Sequence, residues 1–295
     1  MKPTLDKVMA SFKHTPTASP IPAAKKSLGQ NFLQDVNIAR KIVEALNIQP
    51  GERVIEIGPG PGALTCHLLE SGLGRLVLME KDRHWARHHA QSVGENPYDG
   101  KTALFDELVY GDEGRLKVIE GDALAVPWSA FDKPVKIIGN LPYNVASPLM
   151  WDIVSQSRGC ERAVFMIQKE VGLRLTASPK TKEYGALSVW IQSFCVPQLE
   201  FIVPPQVFHP KPKVHSAVVS FNPLSLNPGV DYKALSSLLK MCFQARRKQL
   251  GNSLRALPNI EDGFKKANIL PTQRPEELSS TDFHRLVMAL FPKIH

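Results

Sequence analysis

The stretch that most constrains the fold is Arg53-Val-Ile-Glu-Ile57, followed at once by Gly58-Pro-Gly60-Pro-Gly62. Five mostly apolar residues have the length of a buried strand, and glycines at its end let the backbone turn sharply and approach a ligand closely. In an open parallel sheet, ligands bind at the carboxyl ends of strands. The surrounding pattern agrees with such a sheet. Asp35 is a good N-cap for a helix carrying Ile38, Ile42, Val43 and Leu46 at a 3.6-residue period. A helix is expected over about 62–69, a second strand over 76–79 and a helix starting near Asp82. Further strand-like runs lie at 116–119, 135–138, 163–167 and 214–221, with helical patterns between them. Strands alternating with helices predict an α/β, doubly wound Rossmann-like sheet.

Beyond Pro223 the pattern turns purely helical, with segments expected at 232–243, 246–256 and 276–290. The expected organisation is therefore a tail over 1–24, a sheet domain over 25–222 and a small all-helical domain over 223–295. The tail is rich in Pro, Ser, Thr and Ala, too polar to order itself, and its lack of Arg argues against a mitochondrial transit peptide. Residues 94–114 carry scattered Gly, Asn, Asp and Pro and read as a surface excursion. Apolar runs are too short for a membrane span. The four cysteines, Cys66, Cys160, Cys195 and Cys242, form no C-x-x-C pair, which excludes a zinc ribbon and fits reduced thiols in a cytoplasm.

The glycine run also satisfies G-x-G-x-x-A through Ala63, so a dinucleotide is a competing ligand. Glu80, 22 residues after Gly58, ends the second strand, where a carboxylate accepts from both hydroxyls of a ribose. That suits NAD and S-adenosylmethionine equally. Asp122, in Gly121-Asp122-Ala123-Leu124, stands where an acid accepts from an adenine amino group, although Gly-Asp after a strand is also an ordinary turn.

The fourth strand ends in Gly139-Asn140-Leu141-Pro142-Tyr143-Asn144. Asn-X-Pro-aromatic resembles the signature of methyltransferases acting on nucleobase amines, and an NAD enzyme has no use for it. An adenine amine is a weak nucleophile because its lone pair delocalises into the ring. The Asn140 side-chain oxygen and the Leu141 carbonyl could hold its two N–H groups and localise that pair. Pro142 restricts the backbone and cannot donate a competing N–H. Tyr143 offers a face for stacking. A sulfonium donor leaves as a neutral thioether, so no metal is needed, and catalysis reduces mostly to alignment.

With these motifs in place the chain resembles the small-subunit ribosomal RNA adenine N6,N6-dimethyltransferases of the kasugamycin-sensitivity type, over about 25–254. Lys25-Lys-Ser-Leu-Gly-Gln-Asn-Phe-Leu33 is similar to that family's opening signature. Gln168-Lys-Glu-Val-Gly-Leu-Arg-Leu175 and Lys182-Glu-Tyr-Gly-Ala-Leu-Ser188 are similar to its middle signatures. The resemblance implies an S-adenosylmethionine site at Asn31, Leu33, Gly58, Gly60, Glu80, Asp122 and Asn140. It implies that Phe208, in Phe208-His-Pro-Lys-Pro-Lys-Val214, helps clamp a flipped adenine; an aromatic between Pro205 and Pro210 is equally a packed loop anchor. Phe243-Gln-Ala-Arg-Arg-Lys-Gln-Leu-Gly-Asn-Ser-Leu254 resembles the basic helix of the family's C-terminal domain. After Tyr143 the family usually has Asn-Ile-Ser-Thr-Pro, and here Asn144-Val-Ala-Ser-Pro148 stands instead.

A splayed-out adenosine requires a grip on RNA. The formal charge is +8, from 36 Lys and Arg against 28 Asp and Glu, which favours a polyanionic partner. Arg246, Arg247 and Lys248, with Lys211 and Lys213, are the candidates for phosphate contacts, against the alternative of a solvated face. The family implies dimethylation of two adjacent adenosines in the 3′-terminal hairpin loop of small-subunit ribosomal RNA, in a pre-30S particle; the thiols fit a cytoplasm, a sulfonium donor needs no metal, and nothing in the sequence suggests more than a monomer. The competing readings are an RNA- or DNA-binding assembly or transcription factor on the same fold, and a DNA adenine methylase.

Overall fold

The computed structural model describes residues 25, 29–100, 105–111, 114–226, 229–244 and 248–292, apart from the side chains of residues 106, 143 and 144. The expected tail over 1–24 lies outside the described residues. The chain divides into two units, one formed by Met1–Gly172 with Gln198–Asn222 and the other by Leu173–Pro197 with Pro223–His295.

The first unit is built on a mixed sheet. Its strands are β2 (Arg53–Ile57), β3 (Arg75–Glu80), β4 (Tyr98–Asp99), β5 (Leu116–Glu120), β6 (Val135–Asn140), β7 (Cys160–Gln168), β8 (Cys195–Val203) and β10 (Ser216–Pro223). They run in the order β4-β5-β3-β2-β6-β7-β10-β8. β2 pairs in parallel with β3 on one side and β6 on the other, while β10 runs antiparallel to β7. All six residues of β3, and the last four of β2, are buried, as expected of parallel strands covered on both faces. From β2 the chain winds outward through β3 and β5, then returns to lay β6 on the opposite side, so a crevice opens at the carboxyl ends where the order reverses.

Helix α1 (Val36–Ala45) starts as its cap demands, with the Asp35 carboxylate accepting the N–H groups of Asn37 and Ile38. α2 (Thr65–Glu70), α3 (Arg83–Ser92) and α5 (Tyr143–Gln156) follow strands β2, β3 and β6. A separate ribbon joins β1 (Phe32–Leu33) to β9 (Phe208–His209), antiparallel, with Phe32 opposite His209 and Leu33 opposite Phe208. Residues 94–114 are more than a surface excursion. They contain β4 and the short helix α4 (Phe105–Tyr110), in which Phe105, Leu108 and Val109 are buried. Apolar side chains at i, i+3 and i+4 make one helical stripe, and the flanking turn residues hid it in the sequence.

In the second unit, α7 (Ala186–Gln192), α8 (Tyr232–Phe243), α9 (Leu250–Ser253), α10 (Ile260–Ala267) and α11 (Ser280–Leu290) bury Leu235, Leu238, Cys242, Phe264, Phe283 and Leu286. α6 (Lys169–Leu175) carries the chain from the first unit into the second. The reading that placed 173–197 in the sheet domain is corrected by packing. The fully buried Tyr184 donates its hydroxyl to the Leu278 carbonyl at 2.7 Å, and the Phe194 ring lies 4.8 Å from that of Tyr232. Of the helix expected over 246–256, residues 246 and 247 lie outside the described residues, and within the rest one turn, Leu250–Ser253, is helical, with Gln249 before it. The last helix starts at Ser280 rather than 276, because Ser279 and Asp282 cap it reciprocally.

Candidate functional site

The crevice at the carboxyl ends of β2, β3, β5 and β6 is a cavity. Gly58, Gly60, Glu80, Asp122, Asn140, Leu141, Pro142, Asn31, Leu33 and Phe208 all line it. Gly58, Gly60 and Gly62 have φ of +67, +53 and +97°, a region that only glycine enters freely. A side chain at Gly60 would press on the Phe32 ring at 3.2 Å. The loop stays open as a cradle of bare backbone.

Three groups hold Gly60. Its N–H donates to Glu80 Oε2 at 3.0 Å, its Cα faces Phe32, and its carbonyl accepts from His89 Nε2 at 2.7 Å. The other Glu80 oxygen accepts the Asp82 N–H at 2.7 Å. Burial raises the Glu80 pKa, and the backbone donors of Asp82 and Gly60 pull against it. His89 is fully buried on the inner face of α3, and burial lowers it to about 4, so it stays neutral. Glu56, on β2, also borders the cavity and is almost wholly buried. Burial, together with the charge of Glu80, lifts it to about 8 against the opposing bond from the Thr65 hydroxyl at 2.7 Å. At neutral pH it carries its proton.

Asp122 bonds Lys81 at 2.6 Å and the Leu124 N–H at 3.0 Å. Burial would raise its pKa, but these donors outweigh it and leave the carboxyl lowered. Lys81 is the cation among the lining residues, and Asp122 neutralises it. The cavity therefore offers acceptors, and it suits a ligand that brings donors or positive charge.

At the end of β6, Gly139 is required: a Cβ there would stand 2.6 Å from the Ile57 carbonyl oxygen. The next residue, Asn140, points its amide nitrogen at the Asn31 carbonyl at 3.1 Å. A carbonyl only accepts, so this bond fixes the amide with its oxygen facing the other way. The Leu141 N–H is taken by the Met166 carbonyl at 3.1 Å, and Pro142, at φ −56 and ψ 135°, delivers the chain into α5. Tyr143 is the first residue of α5, and its side chain lies outside the described atoms. Phe208 both lines the cavity and belongs to the buried cluster containing Leu33, at 4% exposure.

Other expected residues stand elsewhere. Lys211 and Lys213 are exposed on the segment after β9 and do not line the cavity. Lys248 is exposed before α9, while Arg246 and Arg247 lie outside the described residues. Sequence reasoning missed Glu56, His89, and the anchor by which Lys25 and Gln30 hold Asp82 at 2.7 and 3.1 Å. The signal for His89 was its spacing with Trp85, Ala86 and Ala90, the inner face of α3.

Residues 21–290 match the ribosomal RNA adenine dimethylase family. The chain belongs to that family. It is 49% identical over 295 residues to ribosomal RNA small subunit methyltransferase A of Oleidesulfovibrio alaskensis, covering 97% of this chain and 98% of that one. Its identity to the protein of the same description from Nitratidesulfovibrio vulgaris is 50%, over 89% of this chain and 94% of that one. Among solved structures, a dimethyladenosine transferase from Plasmodium falciparum superposes with a TM-score of 0.66 at 25% identity, covering 86% of this chain and 95% of that one. The 23S rRNA methyltransferase ErmE shares the fold, with a TM-score of 0.63 at 21% identity over 88% of this chain and 99% of that one.

Proposed function

We propose that the cavity binds S-adenosylmethionine, with its ribose hydroxyls on Glu80, its adenine beside Asp122, and Asn31, Leu33, Gly58 and Gly60 around it. In this reading Asn140, Leu141, Pro142, Tyr143 and Phe208 receive the target adenosine. The residues fit that cofactor. The loop is a cradle that a Cβ would fill, and Glu80 is a buried carboxylate bonded by backbone N–H groups, with lone pairs left for hydroxyl donors. The chain is an S-adenosylmethionine-dependent ribosomal RNA adenine dimethyltransferase acting on small-subunit RNA.

The cofactor, when bound, supplies a methyl group on a positively charged sulfur that leaves as a neutral thioether. This chain's own residues do the aligning. The observation that carries the reading is the bond from Asn140 to the Asn31 carbonyl, because it turns the amide oxygen into an acceptor at the cavity. That oxygen and the Leu141 carbonyl accept the two N–H groups of the amine and aim its lone pair. Tyr143 gives the base a face to stack on, worth about 1–3 kcal/mol. Fixed geometry of this kind supplies roughly 7–11 kcal/mol of the barrier reduction. A methylated aryl amine sheds its proton readily, so no strong base is required.

The finer reading is dimethylation of two adjacent adenosines in the 3′-terminal hairpin loop of the RNA, within a pre-30S particle, by a cytoplasmic monomer. Arg246, Arg247, Lys248, Lys211 and Lys213 hold the phosphates. Among the described residues no helix is long and apolar enough to cross a membrane. Incubation with labelled S-adenosylmethionine and under-methylated small subunits, followed by mapping of the modified bases, tests this. Two neighbouring dimethyladenosines are expected, and label at another base or none would overturn the assignment.

A further inference from the structure

We propose that the outer face of α3 is a second RNA-backbone site, formed by Arg83, His84, Arg87 and His88 with Gln91. These five residues line one surface groove. The proposal rests on the reading of the chain as a ribosomal RNA methyltransferase, and it adds a contact which that reading does not contain.

The helix is unusual in composition. Its ten residues include two Arg and three His and no acid. Trp85, Ala86, His89 and Ala90 face inward and account for its folding. Outward, Arg83 and Arg87 stand four residues apart, a spacing at which like charges oppose the helix, and His84 and His88 lie on the same face. A merely solvated helix face usually interleaves acids at that spacing. Among the described residues Arg83 has one ion pair, a long one to Glu120 at 3.8 Å, and Arg87 has none. Two guanidinium groups with so little pairing are set up for an anion.

The groove is also held in shape. Trp85 is buried between two histidine rings, His84 at 4.9 Å and His88 at 5.7 Å, each edge-on to it. Partial burial and the neighbouring His84 lower the His88 pKa, so His88 serves as an N–H donor rather than a cation. Two guanidinium forks beside two ring donors match phosphate oxygens, which accept from both kinds of group. The location suits a strand entering the site. α3 begins just after Glu80 and Lys81, which line the cofactor cavity in the same unit. RNA whose adenosine enters the cavity would have further phosphates to place on basic groups of the same unit.

The test measures binding of the full chain to under-methylated small subunits, and to protein-free RNA carrying the 3′-terminal hairpin, across a salt series. Arg83→Gln with Arg87→Gln should weaken binding to both about tenfold and flatten the salt slope by up to about two phosphate contacts. S-adenosylmethionine affinity by calorimetry and the thermal midpoint should stay unchanged, and methyl transfer should show a raised KM with kcat kept. Gln91→Lys, at an exposed position on the same groove, should steepen the slope by about one and tighten binding. This gain stands even if the double variant folds poorly. Unchanged slopes in both variants would overturn the proposal, and so would a loss on subunits with none on protein-free RNA, which would make the face a protein contact. Absence of any adenine methylation by the unaltered chain would instead defeat the family-level activity, a separate result from the slope.

Discussion

Asn140 and Glu80 stand at the ends of β6 and β3, the two strands that flank β2, and in the proposed reading their variants should fail differently. If Asn140 accepts from the reacting amine as proposed, Asn140→Ala removes one acceptor there and methyl transfer should fall roughly 10²–10³-fold, by analogy with loss of one aligned hydrogen-bonding group. RNA affinity should barely change, because phosphate contacts supply most of it. Filter binding together with a methylation time course separates the two, and near-normal turnover would remove Asn140 from its role. Glu80→Ala should weaken cofactor binding by about 1.5–3 kcal/mol for each charged hydrogen bond lost. Equal affinity by calorimetry would place the ribose elsewhere. Glu56 gives a pH dependence. Its folded pKa is about 8 against an ordinary 4.5, so between those values the folded chain holds a proton that the unfolded chain has lost. Stability from this group is complete below about 4.5 and declines as pH rises through 8. Glu56→Gln should therefore stabilise the chain on the order of 3 kcal/mol at neutral pH and leave it unaltered in acid. Parallel melting curves at several pH values, with no difference between the proteins, would show that Glu56 is ionised when folded. Glu80 and Asp122 were legible because a strand end and a count of residues locate them. Glu56 and His89 were not, since burial sets their chemistry and nothing in a sequence reports burial directly.

At the scale of elements, the parallel strands were readable because burial on both faces makes them continuous apolar runs. β8 was not, because Pro197, Gln198 and Glu200 interrupt it, and such residues are tolerated on the sheet edge where it lies. The second helix expected in the basic stretch, over 246–256, is shorter where it is described, since Gln249 caps its start and Leu254 its end. Gly139 shows how an element can depend on one missing atom. A Cβ there would stand 2.6 Å from the Ile57 carbonyl, backbone that cannot swing aside. Gly139→Ala should cost about 1–3 kcal/mol, as overpacking does, and should push β6 away from β2. A thermal midpoint and a methylation rate both equal to those of the unaltered chain would show that the two strands part easily.

For the whole molecule, the charge of +8 and the family point to one polyanionic partner, and several basic groups compete to be its contacts. Replacing Arg246, Arg247 and Lys248 together with Gln should flatten the salt dependence of small-subunit binding by up to about three phosphate contacts, while cofactor affinity holds. An unchanged slope would return them to solvent. Sequence alone could not rank these cations, because charge says nothing about which groups already have partners. It could not place 173–197 either, since Tyr184 finds Leu278 only 94 positions further along the chain.

The ribbon of β1 and β9 makes one buckle of two distant pieces of chain. Leu33 and Phe208, which both line the cavity, are cross-strand neighbours, and the Asn31 carbonyl is fastened to Asn140. With cofactor and adenosine placed as proposed, tightening the strap on one side also draws in the other, so a chain holding its methyl donor would present a firmer seat to the base than one that has spent it.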